Sequence, residues 1–392
     1  MRTLAIALAA CTLSACTTTT TPGGGDAAAL HKRLLVLDTH LDTPIHFNRP
    51  EWRFDGRHTF ANDLSQVDIG RMREGALDGG FFVIYTEQGP LTAKGYADAL
   101  AFARGRSDLI DRTIKRYDAL IAPALSADDA RRLNRAGKLI AFKSIENSYP
   151  LGEDLSLLGE FYAKGVRLAG PVHSKNNQFA DSATDTPRWG GLSPLGRDWV
   201  KEMNRLGITI DASHSSDATF DQLLELSKYP ILLSHSSLRS AYDHPRNLDE
   251  GRLRKLAAKG GAMCISTIYL SEMNLTAERA KLFGDYELIG TMTPAQQAEL
   301  IGKWQALDQR EKMWNADFEK FMAQLLRAIE VAGVDHVCVG ADWDGGGGIE
   351  GINDISAFPK VTARLKSAGY SDADIEKIWS GNVLRVIAQN QH

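Results

Sequence analysis

Cysteine is scarce in this chain, with four among 392 residues. That number is too small for a disulfide-dense scaffold, so a large hydrophobic core must stabilise the protein. An excess of one charge is also missing, because 45 basic and 49 acidic residues leave a formal net charge of −4. This balance argues against a nucleic-acid partner, which usually requires a concentrated basic field. Cys264 and Cys338 lie in apolar runs, and we expect buried thiols rather than a disulfide pair.

Long apolar runs are missing too, since none reaches the roughly 20 residues of a transmembrane helix. The stretch Leu4–Leu13 is about half that length, follows Arg2 and is typical of a signal peptide. It runs into the letters LSAC, which resemble the lipobox of bacterial lipoproteins and place the lipidation site at Cys16. We predict a signal peptide over 1–15 and a flexible tether over 16–30. An ordinary signal peptide cleaved nearby is the alternative.

These features predict a location in the bacterial cell envelope, on the periplasmic face of the outer membrane. The lipid on Cys16 would be the protein's only contact with the membrane.

The rest of the chain, 31–392, alternates between short apolar runs and amphipathic helical stretches, with no composition break that marks a second domain. Continuous apolar runs are typical of strands buried on both faces of a parallel sheet. We predict eight strands, at Leu34–Asp38, Gly80–Tyr85, Leu139–Ser144, Gly165–Ala169, Gly207–Ala212, Pro230–Ser234, Gly261–Ser266 and His336–Gly340. Eight strand–helix units predict an α/β fold, the (β/α)8 or TIM barrel. An open doubly wound sheet is the alternative.

Two intervals between the predicted strands are too long for bare loops. After strand 2, helical patterns occupy Tyr96–Arg104 and Leu109–Ile121. After strand 7, segment 268–315 indicates no role by its sequence, and a helical run follows at Ala316–Ala332. We therefore predict helical insertions after strands 2 and 7. The run Gly345–Gly348 lacks the Lys-Ser/Thr of a phosphate loop, and we expect a mobile rim there.

Polar side chains gather where the predicted strands end, which is where active sites lie in this barrel. They are His40, Asp42, Glu146, His173, His214, His235 and Asp342. Imidazole and carboxylate are ligands that zinc and similar metals accept. His40 and Asp42 point the same way in an extended segment, because they are two residues apart. His214 and His235, on adjacent strands, can bind a second ion, with Glu146 between the two sites.

A series of segments then carries a definite resemblance. They are DTHLDTP at 38–44, LSQVDIGRMREG at 64–75, SIE at 144–146, His173 with Asn176 and Asp181, IDASH at 210–214, SHSS at 234–237, HPRN at 244–247, GADWDG at 340–345 and GNVLR at 381–385. Their order and spacing resemble the renal, or membrane, dipeptidase family of zinc peptide hydrolases, which have an amidohydrolase-type barrel. The resemblance covers roughly 34–386, and the lipobox would make this chain a bacterial lipoprotein member.

The resemblance implies a site with two Zn²⁺ per chain. His40 and Asp42 would bind one ion, His214 and His235 would bind the other, and Glu146 would bridge them.

The resemblance also implies the roles of three further residues. His173 would contact the substrate carbonyl or the tetrahedral oxyanion. Asp342 would contact the nucleophilic water and shuttle its proton to the leaving amine, with Glu146 completing the catalytic set. Arg246 would hold the terminal carboxylate of the substrate, because a guanidinium can clasp a carboxylate with two hydrogen bonds.

The function predicted from these residues is a binuclear zinc dipeptidase that also accepts a D-residue at the C-terminal position, as the family commonly does. Two alternatives stay open. One is another amidohydrolase activity on the same metal site, such as lactam or N-acyl-amino-acid hydrolysis, and the other is a metal-binding lipoprotein without turnover. The proton shuttle Asp342 favours an enzyme. The expected partner is a small dipeptide, and assembly into a homo-oligomer stays open.

Overall fold

The computed structural model describes residues 24–391 of the chain. The predicted signal peptide and Cys16 lie outside the described residues. Within the described range the structure has nine strands: β1 Leu37–Leu41, β2 Gly79–Tyr85, β3 Ile121–Pro123, β4 Leu139–Glu146, β5 Val166–Ala169, β6 Thr209–Ile210, β7 Leu232–Ser236, β8 Ala262–Ile265 and β9 Val337–Val339.

Helices follow most of these strands. In chain order they are α1 Gly24–His31, α2 Phe60–Asp63, α3 Ile69–Glu74, α4 Ala93–Arg116, α5 Ala127–Arg135, α6 Ser156–Ala163, α7 Pro194–Leu206, α8 Asp217–Leu226, α9 Glu250–Ala258, α10 Ala277–Tyr286, α11 Pro294–Arg310, α12 Phe318–Ala332, α13 Phe358–Ser367, α14 Asp372–Glu376 and α15 Asn382–Asn390. Short 3-10 turns lie at Thr43–Ile45, Tyr149–Leu151, Ile289–Thr291, Val334–His336 and Ile355–Ala357, and a π-helical turn at Lys377–Gly381.

The strands form a closed parallel ring. β1, β2, β4, β5 and β6 pair in that order, and β7, β8 and β9 pair in a second run. The two runs meet where Ala212 N donates to Leu232 O at 2.7 Å and where Asp42 N donates to Trp343 O at 2.9 Å. The ring order is therefore β1-β2-β4-β5-β6-β7-β8-β9, which confirms the predicted (β/α)8 barrel. β3 pairs with the first half of β4 and lies outside the ring.

The core divides by alternation along the strands, because successive side chains point to opposite faces. Leu37, Phe81 and Phe142 belong to one buried cluster, in which the two phenylalanine rings stack at 4.7 Å. Their neighbours Phe82 and Ile145 belong to a second cluster together with helix residues. The first cluster also includes residues of α5 and α15, so both faces of the strands are packed and the strand ends are held on a rigid support.

Two predicted strands differ most from the structure, and one strand, β3, was not predicted. β1 begins at Leu37 rather than Leu34, so His40 lies inside the strand. β6 keeps only Thr209–Ile210 of its predicted length. β3 occupies the end of a segment predicted to be helical, because α4 stops at Arg116 and Pro123 cannot donate to a helix.

Both predicted insertions are present, with different contents. One 24-residue helix, α4, replaces the two helices expected after strand 2. After β8 the chain forms α10 and α11, which pack against one another, before α12 leads into β9. The prediction of two free thiols is wrong. Cys264 and Cys338 are register partners on β8 and β9 and form a disulfide, because strand pairing places side by side two residues that are 74 positions apart.

The folded unit begins before residue 31, the predicted boundary. Residues 24–30 of the expected tether, together with His31, form α1, which packs on α13 and buries Ala27 and Leu30. His31 is also buried and hydrogen-bonds Thr362 Oγ1 at 2.7 Å and Gly75 O at 2.8 Å. Among residues 24–391, no helix is both long and apolar enough to cross a bilayer.

Candidate metal centre

One mouth of the barrel collects six polar side chains. His40 lies in β1 and Asp42 just after it, Glu146 ends β4, His235 lies in β7, and His214 and Asp342 follow β6 and β9. Five of the six are buried, and Asp42 is half-buried. The structure therefore brings every predicted metal ligand to one place, because parallel strands of a barrel end at the same face.

These side chains form two donor sets that share Glu146. In the first set, His40 Nε2 lies 3.1 Å from Asp42 Oδ2 and 3.3 Å from Glu146 Oε2. In the second, Glu146 Oε1 lies 3.0 Å from His214 Nε2 and 3.4 Å from His235 Nε2. The two oxygens of one carboxylate thus face different histidine groups, which is the arrangement that a bridging ligand requires. Each set brings its three donor atoms within 4.8 Å of one another.

The donor atoms fit a borderline metal such as zinc. His214 Nε2 and His235 Nε2 approach to 2.9 Å, so at most one of these nitrogens can carry a proton that points at the other. His40 Nε2 is buried and makes no well-formed hydrogen bond to any residue in 24–391. Converging imidazole nitrogens beside carboxylate oxygens are costly without a cation, because each buried polar atom needs a partner. A metal at each donor set would satisfy them.

Hydrogen bonds behind His235 orient its ring. Ser234 Oγ donates to Asp211 Oδ2 and is 2.8 Å from His235 Nδ1. Since the hydroxyl proton goes to Asp211, the Ser234 oxygen accepts from Nδ1–H. His235 is therefore the tautomer whose Nε2 lone pair faces the site, as a metal-binding histidine needs.

Asp38 supports the opposite part of the site. Its Oδ1 accepts from His40 N at 2.8 Å and its Oδ2 accepts from Ala341 N at 3.0 Å. Burial raises the pKa of Asp38 to about 7, although both backbone donors oppose the shift. The side chain thereby connects the end of β1 with the residue before Asp342.

Two site residues have left-handed backbone conformations. φ is 66° at His214 and 67° at Asp342, a region that residues with a Cβ rarely adopt. Non-glycine residues in this region cost about 1–3 kcal/mol each and concentrate at functional sites. The turns aim both side chains at the mouth as soon as their strands end.

The charges of the carboxylates differ. Burial opposes ionisation of Glu146, but electrostatic attraction from the surrounding histidines, His40 first among them, holds its pKa well below the ordinary value. Asp342 shows the reverse, since burial and the nearby Asp42 and Glu146 raise its pKa well above the ordinary value. One carboxylate is therefore suited to remain an anionic ligand, and the other is suited to accept and release a proton.

Two of the histidines are kept neutral. Burial, with the positive charge of Arg246 adding to it, holds the pKa values of His214 and His235 well below the ordinary value. A neutral imidazole is the form that binds a metal.

His173 lies at the edge of the cluster and is the most exposed of the predicted site residues. Its Nε2 is 3.8 Å from Glu146 Oε1, and its ring is 4.2 Å from that of His214. Ser174 Oγ lies 3.1 Å from His173 Nδ1, and the ring of Tyr85 meets it edge-on at 4.9 Å. Burial lowers the pKa of His173, so the ring is neutral near pH 7.

Arg246 lies beside the second donor set. Its Nη1 donates to Ser236 Oγ at 2.8 Å and its Nη2 donates to His235 O at 2.7 Å. Its Nε is buried and has no hydrogen-bond partner within the described chain. The backbone N of Arg246 hydrogen-bonds His244 Nδ1 at 3.2 Å, and His244 stacks on Tyr269 at 4.2 Å. Tyr269 therefore lies near Arg246 through His244, and no motif or spacing in the sequence predicts that position.

A second carboxylate network was also missed from the sequence. Asp344 accepts hydrogen bonds from Thr43 Oγ1 at 2.7 Å and from Gln66 N at 2.6 Å, and it lies 3.3 Å from His46 Nε2. His46 is fully buried. The signal in the sequence was Asp344 itself, two residues after Asp342 in the segment GADWDG.

The glycine run is not the mobile rim that we predicted. A Cβ at Gly345 would overlap Asp42 Oδ2 and Asp342 Oδ1, so the backbone packs directly on the site carboxylates. Gln66 Nε2 donates to Gly347 O at 2.8 Å, and Gly348 N donates to Thr267 Oγ1 at 2.9 Å. These glycines permit close approach of the chain rather than motion.

Comparison with known proteins adds an independent finding. The sequence profile of the membrane dipeptidase family, peptidase family M19, matches residues 25–392. Dipeptidase tcpJ of Claviceps purpurea is 31% identical over 347 residues, which cover 86% of this chain and 73% of that protein.

Solved structures agree in fold. The probable dipeptidase PvdM from Pseudomonas aeruginosa superposes with a TM-score of 0.80 at 30% identity, over 94% of this chain and 98% of that one. A metallopeptidase from Rhodobacter sphaeroides, solved with a phosphinate mimic of the dipeptide L-Ala-D-Ala, gives a TM-score of 0.72 at 21% identity. It covers 91% of this chain and 99% of its own.

Proposed function

Because the chain belongs to the membrane dipeptidase family and is therefore a metal-dependent peptide hydrolase, we propose that it cleaves dipeptides at a site holding two zinc ions. The observation that carries this proposal is the sharing of Glu146 between two donor sets. His40 and Asp42 would hold one ion, and His214 and His235 the other. Zinc bound there would lower the pKa of a water molecule toward 7 and polarise the scissile carbonyl.

Asp342 moves the proton in this proposal. Its Oδ1 lies 3.8 Å from His40 Nε2, beside the first donor set. The raised pKa of its carboxyl suits a group that takes a proton from water and then gives it to the leaving amine. Its left-handed backbone holds the carboxylate at that position.

His173 stabilises the developing oxyanion. When Ser174 Oγ–H donates to His173 Nδ1, the ring proton is on Nε2, which points toward Glu146 and the metal cluster. Nε2–H then donates to the carbonyl oxygen as negative charge develops there.

Arg246 selects the length of the substrate. The guanidinium is buried next to His235, two of its nitrogens are held by the protein, and Nε is unpartnered. A free carboxylate one residue past the scissile bond would complete its hydrogen bonding. A guanidinium reads the carboxylate and not the configuration of the Cα atom, so we extend the proposal to dipeptides with a C-terminal D-residue.

The test combines metal analysis with one substitution. We expect about two zinc ions per chain in the purified protein and hydrolysis of L,L- and L,D-dipeptides. Asp342→Asn should retain the zinc and lower kcat by about 100- to 10,000-fold, which is the usual contribution of a general base. Near-normal turnover of that variant, or turnover of lactams or N-acyl amino acids in preference to dipeptides, would contradict the proposal.

We also propose that the protein is a lipid-anchored envelope enzyme. The support is the sequence around Cys16 and the Cys264–Cys338 disulfide, because structural disulfides persist in oxidising compartments such as the periplasm. We expect Cys16→Ser to move the protein from the membrane fraction to the soluble periplasmic fraction, and an unchanged distribution would contradict the anchor.

A further inference from the structure

The insertion over 268–315 is fastened to the mouth of the barrel. The Tyr286 hydroxyl, at the end of α10, lies 3.2 Å from His46 Nε2 and 3.2 Å from Asp344 O. Further along the chain, Trp314 Nε1 donates to Gly346 O at 2.9 Å. Both contacts reach the loop that follows Asp342. The insertion is therefore part of the site's surroundings and not a separate appendage.

Glu287 is the residue that this anchoring presents to the site. It follows Tyr286 directly, is half-buried, and has a carboxyl close enough to interact electrostatically with Asp42, Glu146 and the Arg106 guanidinium of α4. Among the residues in 24–391, none forms a hydrogen bond or an ion pair within 4 Å with the Glu287 carboxyl. A carboxylate beside a catalytic cluster, with no bonded partner of its own, is available to a ligand.

The ring order places Glu287 opposite Arg246. Asp42 follows β1, and Arg106 lies on the helix after β2, so the Glu287 carboxyl is on the β1–β2 side. Arg246 contacts Ser236 and the His235 carbonyl, at the end of β7. In the ring β1-β2-β4-β5-β6-β7-β8-β9, the β1–β2 pair lies diametrically across from β6–β7. A dipeptide whose carboxylate meets Arg246 and whose peptide bond crosses the metal cluster must therefore present its amino end on the Glu287 side.

We propose that Glu287 binds the α-ammonium group of the substrate's N-terminal residue and is thereby a specificity-determining residue for free dipeptides. This inference rests on the proposed dipeptidase function and adds the recognition of the second charged end of the substrate. The chemistry is a charge-assisted hydrogen bond between ammonium and carboxylate.

Glu287 suits this role better than the other carboxylates on its side. Asp42 is a metal ligand in the proposed site. Glu87 is exposed, accepts a hydrogen bond from Tyr85 OH at 2.5 Å, and lies 3.8 Å from Lys175 Nζ. The Glu87 carboxylate therefore already has partners in Tyr85 and Lys175.

The electrostatic setting agrees with the geometry. Burial and the neighbouring charge of Asp42 raise the pKa of Glu287 to about 8, with Arg106 opposing the shift. A cation placed among these carboxylates removes the repulsion that disfavours ionisation. Binding of an ammonium group would therefore restore the anionic form of Glu287 and offset part of the free-energy cost of desolvating its carboxylate.

The experiment compares two ligands that differ by one amino group. L-Ala-L-Ala serves as the substrate, and propanoyl-L-Ala, which lacks the α-amino group, is measured as a competitive inhibitor of its hydrolysis. We expect Glu287→Gln to raise KM for L-Ala-L-Ala by about 10- to 100-fold, which corresponds to a hydrogen bond between charged groups. The inhibition constant of propanoyl-L-Ala should stay within about twofold, and Glu287→Asp should recover part of the lost affinity.

A matched control is Glu299→Gln, in the same insertion, which removes an exposed carboxylate that pairs with Lys303 Nζ at 2.5 Å. It should leave both constants unchanged. If Glu287→Gln weakens the two ligands equally, or weakens neither, the ammonium role is wrong while the dipeptidase function stands. If the wild-type protein hydrolyses no dipeptide, the proposed function and this inference fail together.

Discussion

Two walls of the mouth are built in different ways. The Arg246 wall (Arg246, Ser236 and His235) belongs to the barrel, and its guanidinium is buried and hydrogen-bonded to a strand. The Glu287 wall (Glu287, Tyr286 and Arg106) comes from an insertion and a long helix, and its carboxyl is half-buried and unbonded within the described chain. The first wall is fixed by the backbone of the sheet, whereas the second depends on how the insertion docks.

This difference between the two walls suggests that the barrel carries the chemistry and that the insertion adjusts substrate selectivity. A side chain held by a strand end keeps its place whatever the insertions do, so the carboxylate contact follows from the barrel. A side chain on an insertion can change without disturbing the metal ligands. We therefore expect substitutions in the Glu287 wall to change which amino-terminal groups the site accepts. The Arg246 wall should keep the requirement for a free carboxyl end.

The largest expected effect comes from the residue between the two walls. Glu146→Gln removes the shared carboxylate, and we expect it to lose zinc and to lower kcat/KM by at least about 1,000-fold on every dipeptide, because metal catalysis supplies several kcal/mol. Zinc analysis and kinetics measure the two losses. The control Glu87→Gln removes an exposed carboxylate outside both donor sets and should keep the metal. A Glu146→Gln protein with full zinc content would show that the two donor sets are not bridged.

Arg246→Ala tests the barrel-built wall. Loss of a buried charged hydrogen-bonding partner should lower kcat/KM for free dipeptides by about 100- to 1,000-fold, while rates on dipeptide amides, which lack the carboxylate, should change little. Arg239→Ala is the matched control, since Arg239 is only partly buried and pairs with Asp217 at 3.0 Å. Equal losses on free and amidated dipeptides would mean that Arg246 supports the fold and does not bind the carboxyl end.

Gly345→Ala tests the packing beneath the cluster. The added methyl group would overlap the carboxylates of Asp42 and Asp342, and a displacement of about 1 Å at a catalytic group costs about 100-fold in rate. Gly302→Ala is the control: it lies inside α11 with no heavy atom within 4 Å of the added carbon. That change should increase the free energy of unfolding by about 0.5–1 kcal/mol and leave kinetics unchanged. Normal activity of Gly345→Ala would show that the loop shifts to accommodate the methyl group without displacing the two carboxylates.

The smallest expected effect concerns the fastening of the Glu287 wall. Tyr286→Phe removes the hydroxyl that contacts His46 and Asp344, which should lower the free energy of unfolding by about 1 kcal/mol. Chemical denaturation measures that change. We also expect a smaller difference in affinity between L-Ala-L-Ala and propanoyl-L-Ala, with no loss of zinc. Unchanged discrimination would mean that the insertion stays docked without this hydroxyl.

Sequence reading found the candidate metal site because its residues follow strand ends. His40, Asp42, Glu146, His214 and His235 all lie in or after short apolar runs, and a parallel barrel brings those ends to one face. The same reading erred where the answer depends on which segments become neighbours. Cys264 and Cys338 are adjacent only through the register of β8 with β9, and Gly345 is constrained only by the carboxylates that it touches.

The sequence by itself indicated the barrel through its hydrophobic periodicity, and the family and the candidate ligand set through its motifs, because these are local properties of the chain. The tertiary structure alone decided the tautomer of His235, through the hydroxyl of Ser234, and the burial of His46 beneath Asp344. It also decided where the insertion docks, through the contacts of Tyr286 with His46 and Asp344. These are contacts between residues tens to hundreds of positions apart, and no spacing along the chain encodes them until the ring closes.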